Sequence, residues 1–246
     1  MKNYLFKICY DGTNYHGWQV QPNSVSVQQT VQDAIETILG KREDITGCSR
    51  TDSGVHANEF CFNMKTEKDI DIYRFTGGMN AVLPKDIAVK QIEEVPLSFH
   101  ARYDSTGKEY IYKIWNEEQR NPFYEGKFLH YRRNIDEAFL NEQAQSFCGK
   151  HDFSSFCSAG GSVEDKVRTV RYFKVERNGG EVYFTVNADG FLYNMVRIMC
   201  GTLLEIQEGN IQKNTLPSVI DSLDRNRAGR TAPAHALYLN KVFYGE

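Results

Sequence analysis

The sequence predicts an α+β fold in which two similar α/β halves form a mixed, largely antiparallel sheet flanked by helices. Three features support this prediction: short stretches alternate apolar and polar residues, a Gly-Gly turn joins two of them, and helical apolar patterns lie between others. Strands connected both by tight turns and by helices are typical of α+β proteins. With 246 residues, 41% of them hydrophobic, the chain is long enough for one large domain or two small ones.

The first half is expected to begin with a strand and a helix. Residues 3–10 alternate apolar and polar side chains, which indicates a strand. Ser26 precedes Gln29 by the three residues of a capping box, so a helix is predicted from there to Gly40. Its apolar stripe consists of Val27, Val31, Ile35, Ile38 and Leu39.

The second half is expected to repeat this layout. Its predicted elements are a strand at 109–115, a helix at 136–148, an antiparallel hairpin of strands at 169–177 and 181–188, an apolar helix at about 191–206 and a last strand at 236–244. Gly179 and Gly180 mark the hairpin turn. No linker rich in Pro, Gly or Ser separates the halves, so the predicted domains, 1–103 and 104–246, meet at a soft boundary.

Composition argues against several classes of protein. The chain has no apolar run of signal-peptide length, and no window approaches the ~18 residues of a membrane span, so a cytoplasmic protein is expected. Its six cysteines include no closely spaced pair of the kind that zinc sites and redox motifs use. Cys9, Cys61 and Cys200 are expected to be buried free thiols. Neither a metal nor an organic cofactor is predicted.

The net charge of -3 gives no sign of a polyanionic partner, so any surface for nucleic acid must be local. Four basic clusters are candidates, although each alone is typical of a solvated face. They are Lys41, Arg42 and Arg50; Arg132 and Arg133; Lys166, Arg168, Arg171, Lys174 and Arg177; and Arg225, Arg227 and Arg230.

The segment 47–57 is the most informative stretch, because small or polar residues there surround a single carboxylate, Asp52. Arg50 stands two positions before it and Gly54 two positions after. Asp-Ser-Gly is common turn chemistry, so a plain turn is one interpretation. The triplet is also a signature of aspartic proteases, but these need two carboxylates that share a proton, and the chain has no second such triplet.

The segment Ser49-Arg50-Thr51-Asp52-Ser53-Gly54-Val55-His56-Ala57 resembles the R-T-D-x-G-V-H-A motif of the TruA family of tRNA pseudouridine synthases. Further matches, in the family's order, cover residues 10–12, 15–19, 80–89, 99–102, 108–112, 149–153, 194–197 and 237–239. The resemblance therefore spans nearly the whole chain and implies the pseudouridine synthase fold. The chain departs from many relatives at Ser49, Ser53 and Ala236, where Gly, Ala and Gly are common; the two serines put the target position in doubt.

The resemblance implies a role for each of four residues. Asp52 is the nucleophile, Arg50 and Arg197 are its charged neighbours, and Tyr110 packs against the target uracil. It also implies that the substrate is tRNA, that the targets are uridines 38, 39 and 40 of the anticodon stem-loop, and that the working form is a homodimer.

The chemistry of the residues agrees with these roles. Arg197 and Glu205 are the only charged residues in the apolar stretch 191–206, and a buried guanidinium costs several kcal/mol unless it is paired. Asp52 must stay ionised where desolvation raises its pKa, and a nearby arginine lowers it. We therefore expect Arg197 to pair with Asp52; the alternative is a structural or snorkelling arginine. Tyr110 shares a strand face with Tyr112, which remains the reserve candidate.

Two other functions compete with the enzyme. An RNA-binding module without chemistry explains the aromatic strands and the basic clusters, but it has no use for a buried arginine beside an aspartate loop. A hydrolase that uses Asp52 needs an acid or base partner, and only His56 is near in sequence. His56 itself is expected to be a structural hydrogen-bonding residue rather than a base.

Overall fold

The computed structural model describes residues 1–161 and 163–245. The chain divides into two compact units: the first comprises Met1–Thr106 and Tyr238–Glu246, and the second comprises Gly107–Leu237. The first unit thus contains most of the C-terminal strand, which the predicted division at 103 and 104 assigned to the second half. Whether the two units fold as separate domains stays a prediction.

Ten strands and five α-helices lie in the described part of the chain. The strands are β1 (Lys2–Tyr10), β2 (Ile45–Gly47), β3 (His56–Thr66), β4 (Ile87–Val95), β5 (Ser105–Trp115), β6 (Leu129–His130), β7 (Gly149–Asp152), β8 (Val167–Asn178), β9 (Glu181–Ala188) and β10 (Leu237–Tyr244). The helices are α1 (Val27–Leu39), α2 (Ile72–Val82), α3 (Glu137–Ala144), α4 (Met195–Glu208) and α5 (Leu216–Asp221). None of the described helices combines the length and the apolar character that crossing a bilayer requires.

The first unit contains a mixed sheet in the order β4-β1-β3-β10, with β2 paired to β3. Strand β1 is antiparallel to both β3 and β4, and β10 is parallel to β3. Aromatic rings fill the core: Phe6 stacks on Phe62 with ring centroids 4.6 Å apart, and Trp18 stacks on Phe60 at 4.0 Å. Such contacts add to the free energy gained from the buried area of each ring.

The second unit contains a sheet in the order β5-β9-β8-β7, with the short β6 parallel to β5. The other pairings are antiparallel. Helix α3 packs against β8 and α4, and Phe147 stacks on Phe173 in the core at 5.6 Å. Each unit therefore has a mixed, largely antiparallel sheet with helices, which confirms the predicted fold class.

Two local predictions are confirmed in detail. Helix α1 is capped by Ser26, whose hydroxyl oxygen accepts the N–H of Gln29 at 3.3 Å, and it ends at Gly40, whose φ is 70°. Strands β8 and β9 pair antiparallel up to Asn178 and Glu181, so Gly179 and Gly180 alone form the hairpin turn. Each of these features depends on hydrogen bonds between residues that are close in sequence. A short sequence pattern is therefore sufficient to predict it.

Three other local predictions were wrong in part. The apolar helix begins at Met195 instead of 191, because Asn194 has a φ of 60°, in the left-handed region that no helix residue occupies. The helix expected over 136–148 ends at Ala144 and continues as a 3₁₀ turn, Gln145–Phe147. Cys9 is half-buried while Cys61 and Cys200 are buried; it lies between the buried residues Ile8 and Tyr10 on β1 and so faces the opposite side of the strand.

Candidate active site

Asp52 lies in the loop between β2 and β3, in the first unit. The N–H of Val55 donates to the carbonyl of Asp52 at 3.1 Å, which closes a turn, and Gly54 has a φ of 76°, a conformation that favours glycine. Asp52, Ser53 and Gly54 thus form the expected turn, and the carboxylate of Asp52 lies at its first position. Thr51 is buried, Asp52 is half-buried and Arg50 is exposed.

Residues 10–18 hold this loop in place, as a second segment of the same unit. The hydroxyls of Tyr10 and Thr51 share a hydrogen bond of 2.8 Å in the interior. The N–H of Trp18 donates to the carbonyl of Thr51 at 3.2 Å, and the N–H of Gly54 donates to the carbonyl of Tyr15 at 3.2 Å. Both sides of Asp52 are therefore fixed to one neighbouring segment, which restricts where the carboxylate lies.

Two glycines make this close approach possible. A Cβ atom on Gly12 would lie 2.0 Å from the carbonyl oxygen of Val55, and one on Gly17 would lie 2.3 Å from that of Thr51. Neither position can carry a side chain without movement of the backbone of the Asp52 loop. This is a physical reason for glycine within 10–12 and 15–19, two stretches that carry the family resemblance.

His56 follows the loop on β3 and is almost completely buried, with 1% of its surface exposed. The N–H of Gly12 donates to its Nδ1 at 3.0 Å, with a carboxylate oxygen of Asp11 also 3.0 Å from that nitrogen. The imidazole ring stacks on Tyr238 with centroids 4.6 Å apart. These contacts join the ring to the fold and support the structural role expected for His56.

Arg197 lies in the first turn of α4, in the second unit, and is half-buried. Its Nε donates to the carbonyl of Ala232 at 2.7 Å, and its Nη1 donates to the amide oxygen of Asn194 at 2.7 Å. The amide nitrogen of Asn194 in turn donates to the hydroxyl of Ser158 at 2.9 Å. Two neutral oxygens of this unit therefore orient the guanidinium.

Gly201, one turn further along α4, allows the segment that contains Ala232 to approach the helix closely. A Cβ atom on Gly201 would be 1.9 Å from the carbonyl oxygen of Arg230, so the helix and the segment 230–232 touch backbone to backbone. The N–H of Ala232 also donates to the carbonyl of Arg197 at 3.1 Å. The segment thus bonds both the main chain and the side chain of Arg197.

Tyr110 and Tyr112 share the buried face of β5, as the sequence predicted. The ring of Tyr110 meets the ring of Phe191 edge to face, with centroids 5.1 Å apart and an interplanar angle of 85°. Tyr112 is fully buried, and its hydroxyl donates to the carbonyl of Pro233 at 3.0 Å. Burial raises the pKa of the Tyr112 phenol. Contacts within the core account for Tyr112, so Tyr110 is the better candidate for packing against a substrate base.

The structure places Arg50 and Asp52 on one loop of the first unit, and Tyr110 and Arg197 in the second unit. Residues 191–194 contact both of the latter, through Phe191 and Asn194. The roles of these four residues, and the pairing of Arg197 with Asp52, stay predictions. Sequence reasoning missed the part played by Asn194; the available signal was its position three residues before Arg197, which is one helical turn.

Several of the basic clusters are partly neutralised by carboxylates. Arg42 is 2.6 Å from Asp33, Arg133 is 3.0 Å from Glu208 and Arg177 is 3.0 Å from Glu137. Each of these pairs reduces the positive charge that a polyanion meets. The number of Lys and Arg residues in a cluster therefore overstates its attraction for nucleic acid.

The chain is similar to known proteins over almost its full length. A family model described as tRNA pseudouridine synthase matches residues 8–104 and 143–245. The tRNA pseudouridine synthase A of Acetivibrio thermocellus is 44% identical over 244 residues, which cover 99% of this chain and 100% of that protein. The tRNA pseudouridine synthase A 2 of Clostridium perfringens is 43% identical with the same coverage. A chain in the crystal structure of a Cbf5-Nop10-Gar1 complex matches 97% of this chain and 59% of its own length, but with a TM-score of 0.41 and 13% identity.

Proposed function

Because this chain belongs to the TruA family of tRNA pseudouridine synthases, we propose that it isomerises uridines 38, 39 and 40 in the anticodon stem-loop of tRNA, with Asp52 as the nucleophile. The chain has the pseudouridine synthase fold and is an isomerase. The family establishes this class of reaction, whereas the target positions and the nucleophile are our proposal.

The reaction breaks the N1–C1′ bond of uridine, turns the uracil and joins it again to C1′ through C5. The proton on C5 is lost and N1 gains one, so no atom and no electron is gained or lost overall. We propose that the carboxylate of Asp52 acts in this exchange. Attack on the sugar, addition to the base and removal of a ribose proton on a glycal route all employ a carboxylate at this position.

The position of Asp52 within a fixed loop is the observation that best supports the proposal. Hydrogen bonds from residues 10–18 reach Thr51 and Gly54 on either side of the carboxylate. A nucleophile that is held before the substrate arrives needs no further ordering in the transition state, and effective molarities from such positioning are large. A surface turn with no chemical role has no need of two glycines that bring a second segment against it.

We propose that Arg197 and Arg50 keep Asp52 ionised. A nearby positive charge lowers the pKa of a carboxyl group, and this opposes the increase that desolvation causes. Arg197 suits this role because hydrogen bonds to Ala232 and Asn194 hold its guanidinium in a fixed orientation. Tyr110 would pack against the uracil after it leaves its stack in the RNA, which offsets part of the free energy of unstacking.

We also propose that the enzyme works in the cytoplasm as a homodimer whose RNA cleft uses both subunits. The resemblance to the family motivates this proposal, and sedimentation equilibrium of the purified chain tests it. A mass of about twice the 28.3 kDa of one chain is expected. A monomer at concentrations where tRNA is modified would overturn it.

Mapping of pseudouridine tests the activity directly. An unmodified tRNA transcript that has uridines at 38, 39 and 40 is incubated with purified protein, without added metal or cofactor, and the modified positions are located by chemical labelling and primer extension. Modification at these positions is expected. Modification elsewhere in the tRNA would correct the target, while no modification of any tRNA would refute the activity.

The Asp52→Asn variant tests the nucleophile. Turnover should be abolished, while tRNA binding should stay within about tenfold of the wild type, because phosphate contacts dominate affinity. Tritium release from C5-labelled uridine measures turnover. Asp44→Asn is the matched control, since Asp44 is exposed and lies before β2. An Asp52→Asn enzyme that keeps more than a few per cent of the rate would refute the assignment.

A further inference from the structure

The second unit contains an open cavity of about 440 Å³ between residues 158–159 and 225–230. Its polar lining consists of Ser158, Arg225, Asn226 and Arg230, and small residues complete the wall. This volume lies within the usual range for ligand sites. Two arginines in one cavity indicate an anionic ligand.

Arg225 supplies a charge that no carboxylate offsets in the described residues. The residue is half-buried, its Nη1 donates to the carbonyl of Ala228 at 3.3 Å, and its Nη2 donates to the hydroxyl of Thr231 at 3.2 Å. Both partners are neutral and both bonds are long. The guanidinium is thus oriented by the loop that surrounds the cavity but keeps its full positive charge.

Arg230 is held differently, because its Nη2 lies 2.7 Å from a carboxylate oxygen of Glu208. Glu205 is a more distant neighbour at 4.0 Å. Asp224, just outside the lining, accepts the main-chain N–H of Asn226 at 2.9 Å and its side-chain amide at 3.0 Å. Arg225 is therefore the main source of positive charge in the cavity.

Two of the cavity's walls also support Arg197. Ser158 lines the cavity, and its hydroxyl accepts a hydrogen bond from Asn194, which holds the Nη1 of Arg197. The loop segment that forms the opposite wall continues from Arg230 to Ala232. The carbonyl of Ala232 accepts a hydrogen bond from the Nε of Arg197. The cavity and Arg197 thus share a framework within a single unit.

We propose that this cavity binds a backbone phosphate of the tRNA substrate, with Arg225 as its principal contact. The proposal rests on the proposed function, because it takes tRNA as the source of the phosphate. A phosphodiester matches the planar fork of an arginine, and Ser158 and Asn226 supply further polar groups. A phosphate held there would position the RNA relative to Arg197 without reading its sequence.

The test compares Arg225→Gln with Arg227→Gln. Both residues belong to the same 3₁₀ turn, Arg225–Arg227, but Arg227 is exposed and does not line the cavity. The dissociation constant for tRNA is measured from 50 to 200 mM salt. Loss of one phosphate contact should reduce the slope of log K against log salt by about 0.9, and it should weaken binding at 0.1 M by about eightfold. Arg227→Gln should retain more of the wild-type affinity and salt slope than Arg225→Gln does.

Two further variants separate the charge from the structure of the loop. Arg225→Lys keeps the charge and should keep the wild-type salt slope. Ala159→Asp adds a negative charge on an exposed residue of the cavity wall, where no existing contact is lost, and it should weaken tRNA binding. If Arg225→Gln and Ala159→Asp both bind tRNA with wild-type affinity and slope, the proposal is refuted.

Thermal denaturation with inorganic phosphate distinguishes a site for free phosphate from a site for the RNA backbone. If phosphate raises the Tm of the wild type but not that of Arg225→Gln, and this variant binds tRNA normally, the cavity binds free phosphate and the tRNA contact is overturned. The failure of this proposal can also be separated from the failure of the proposed function. A wild type that modifies tRNA while the variants bind it normally refutes the cavity alone. A wild type that modifies no tRNA refutes the function itself.

Discussion

Gly17→Ala should reduce both the turnover and the stability of the protein. The residue lies where segment 10–18 meets the Asp52 loop, and its φ is 81°. An added Cβ would be 2.3 Å from the carbonyl oxygen of Thr51 and 3.1 Å from the carbonyl carbon of Asp52, whereas ordinary contact begins at 3.4 Å. The Thr51 peptide must therefore retreat by about 1 Å, because both obstructing atoms belong to the backbone.

The size of each effect follows from this geometry. A non-glycine residue in the left-handed region costs about 1–2 kcal/mol. Stretching the hydrogen bond from Trp18 to the carbonyl of Thr51 removes up to about 1 kcal/mol more from the free energy of unfolding. A displacement of about 1 Å at a catalytic group lowers its rate by about 100-fold. We therefore expect a loss of about 1–3 kcal/mol in stability and of about two orders of magnitude in kcat.

Gly40→Ala is the matched control. Gly40 also has a positive φ, of 70°, but no atom lies within 4 Å of the position its Cβ would take. The variant shares the conformational cost and exerts no pressure on the Asp52 loop, so kcat should be unchanged. Urea denaturation gives the stability, and single-turnover tritium release gives the rate. Equal rates for the two glycine variants would refute the idea that segment 10–18 positions Asp52.

The remaining predictions concern Arg197, its neighbour Asn194 and the RNA surface. Arg197→Met should slow turnover more near pH 6 than near pH 8.5, because loss of the cation raises the pKa of Asp52 and higher pH restores the carboxylate; Arg197→Lys should be intermediate. A pH–rate profile identical to that of the wild type would show that Arg197 is a structural residue. Asn194→Ala should lower kcat with little change in KM, while Asn194→Asp, which keeps an acceptor oxygen for Nη1 but adds a negative charge beside Arg197, should shift the pH–rate profile to higher pH. If Asn194→Asp keeps the pH–rate profile of the wild type, the role of a neutral acceptor is wrong. Binding of tRNA should weaken steeply between about 50 and 200 mM salt despite the net charge of -3; a flat dependence would contradict a surface that follows phosphates.

The elements predicted well are those whose stabilising contacts are local. Helix α1 was predicted from Ser26 and Gln29, three residues apart, because a capping bond joins the two positions directly. The start of α4 was predicted wrongly because Phe191 looks like part of an apolar helix. It is a half-buried loop residue that packs against the ring of Tyr110, which is distant in sequence. Apolar periodicity cannot separate a packed loop from a helix in such a case.

The residues proposed for the chemistry could be named from the sequence, whereas the contacts that hold them in place could not. The motif around Asp52 is contiguous, so a resemblance was enough to find it. Nothing local connects Gly17 to Thr51, since that contact joins separate segments and has no periodic signal. Counting basic residues likewise gave no information on which of them lie against carboxylates, as Arg42 and Arg177 do.

The two units support their proposed catalytic side chains in the same way. In the first, Gly17 allows a neighbouring segment to reach the backbone at Thr51, beside Asp52. In the second, Gly201 allows segment 230–232 to reach α4, where the carbonyl of Ala232 orients Arg197. Main-chain groups cannot be changed by ordinary substitution, so the residues that set the geometry are glycines without chemistry of their own. Substitutions at these glycines should therefore lower kcat while every reactive group is still present, whereas Asp52→Asn removes the reactive group and leaves the geometry intact.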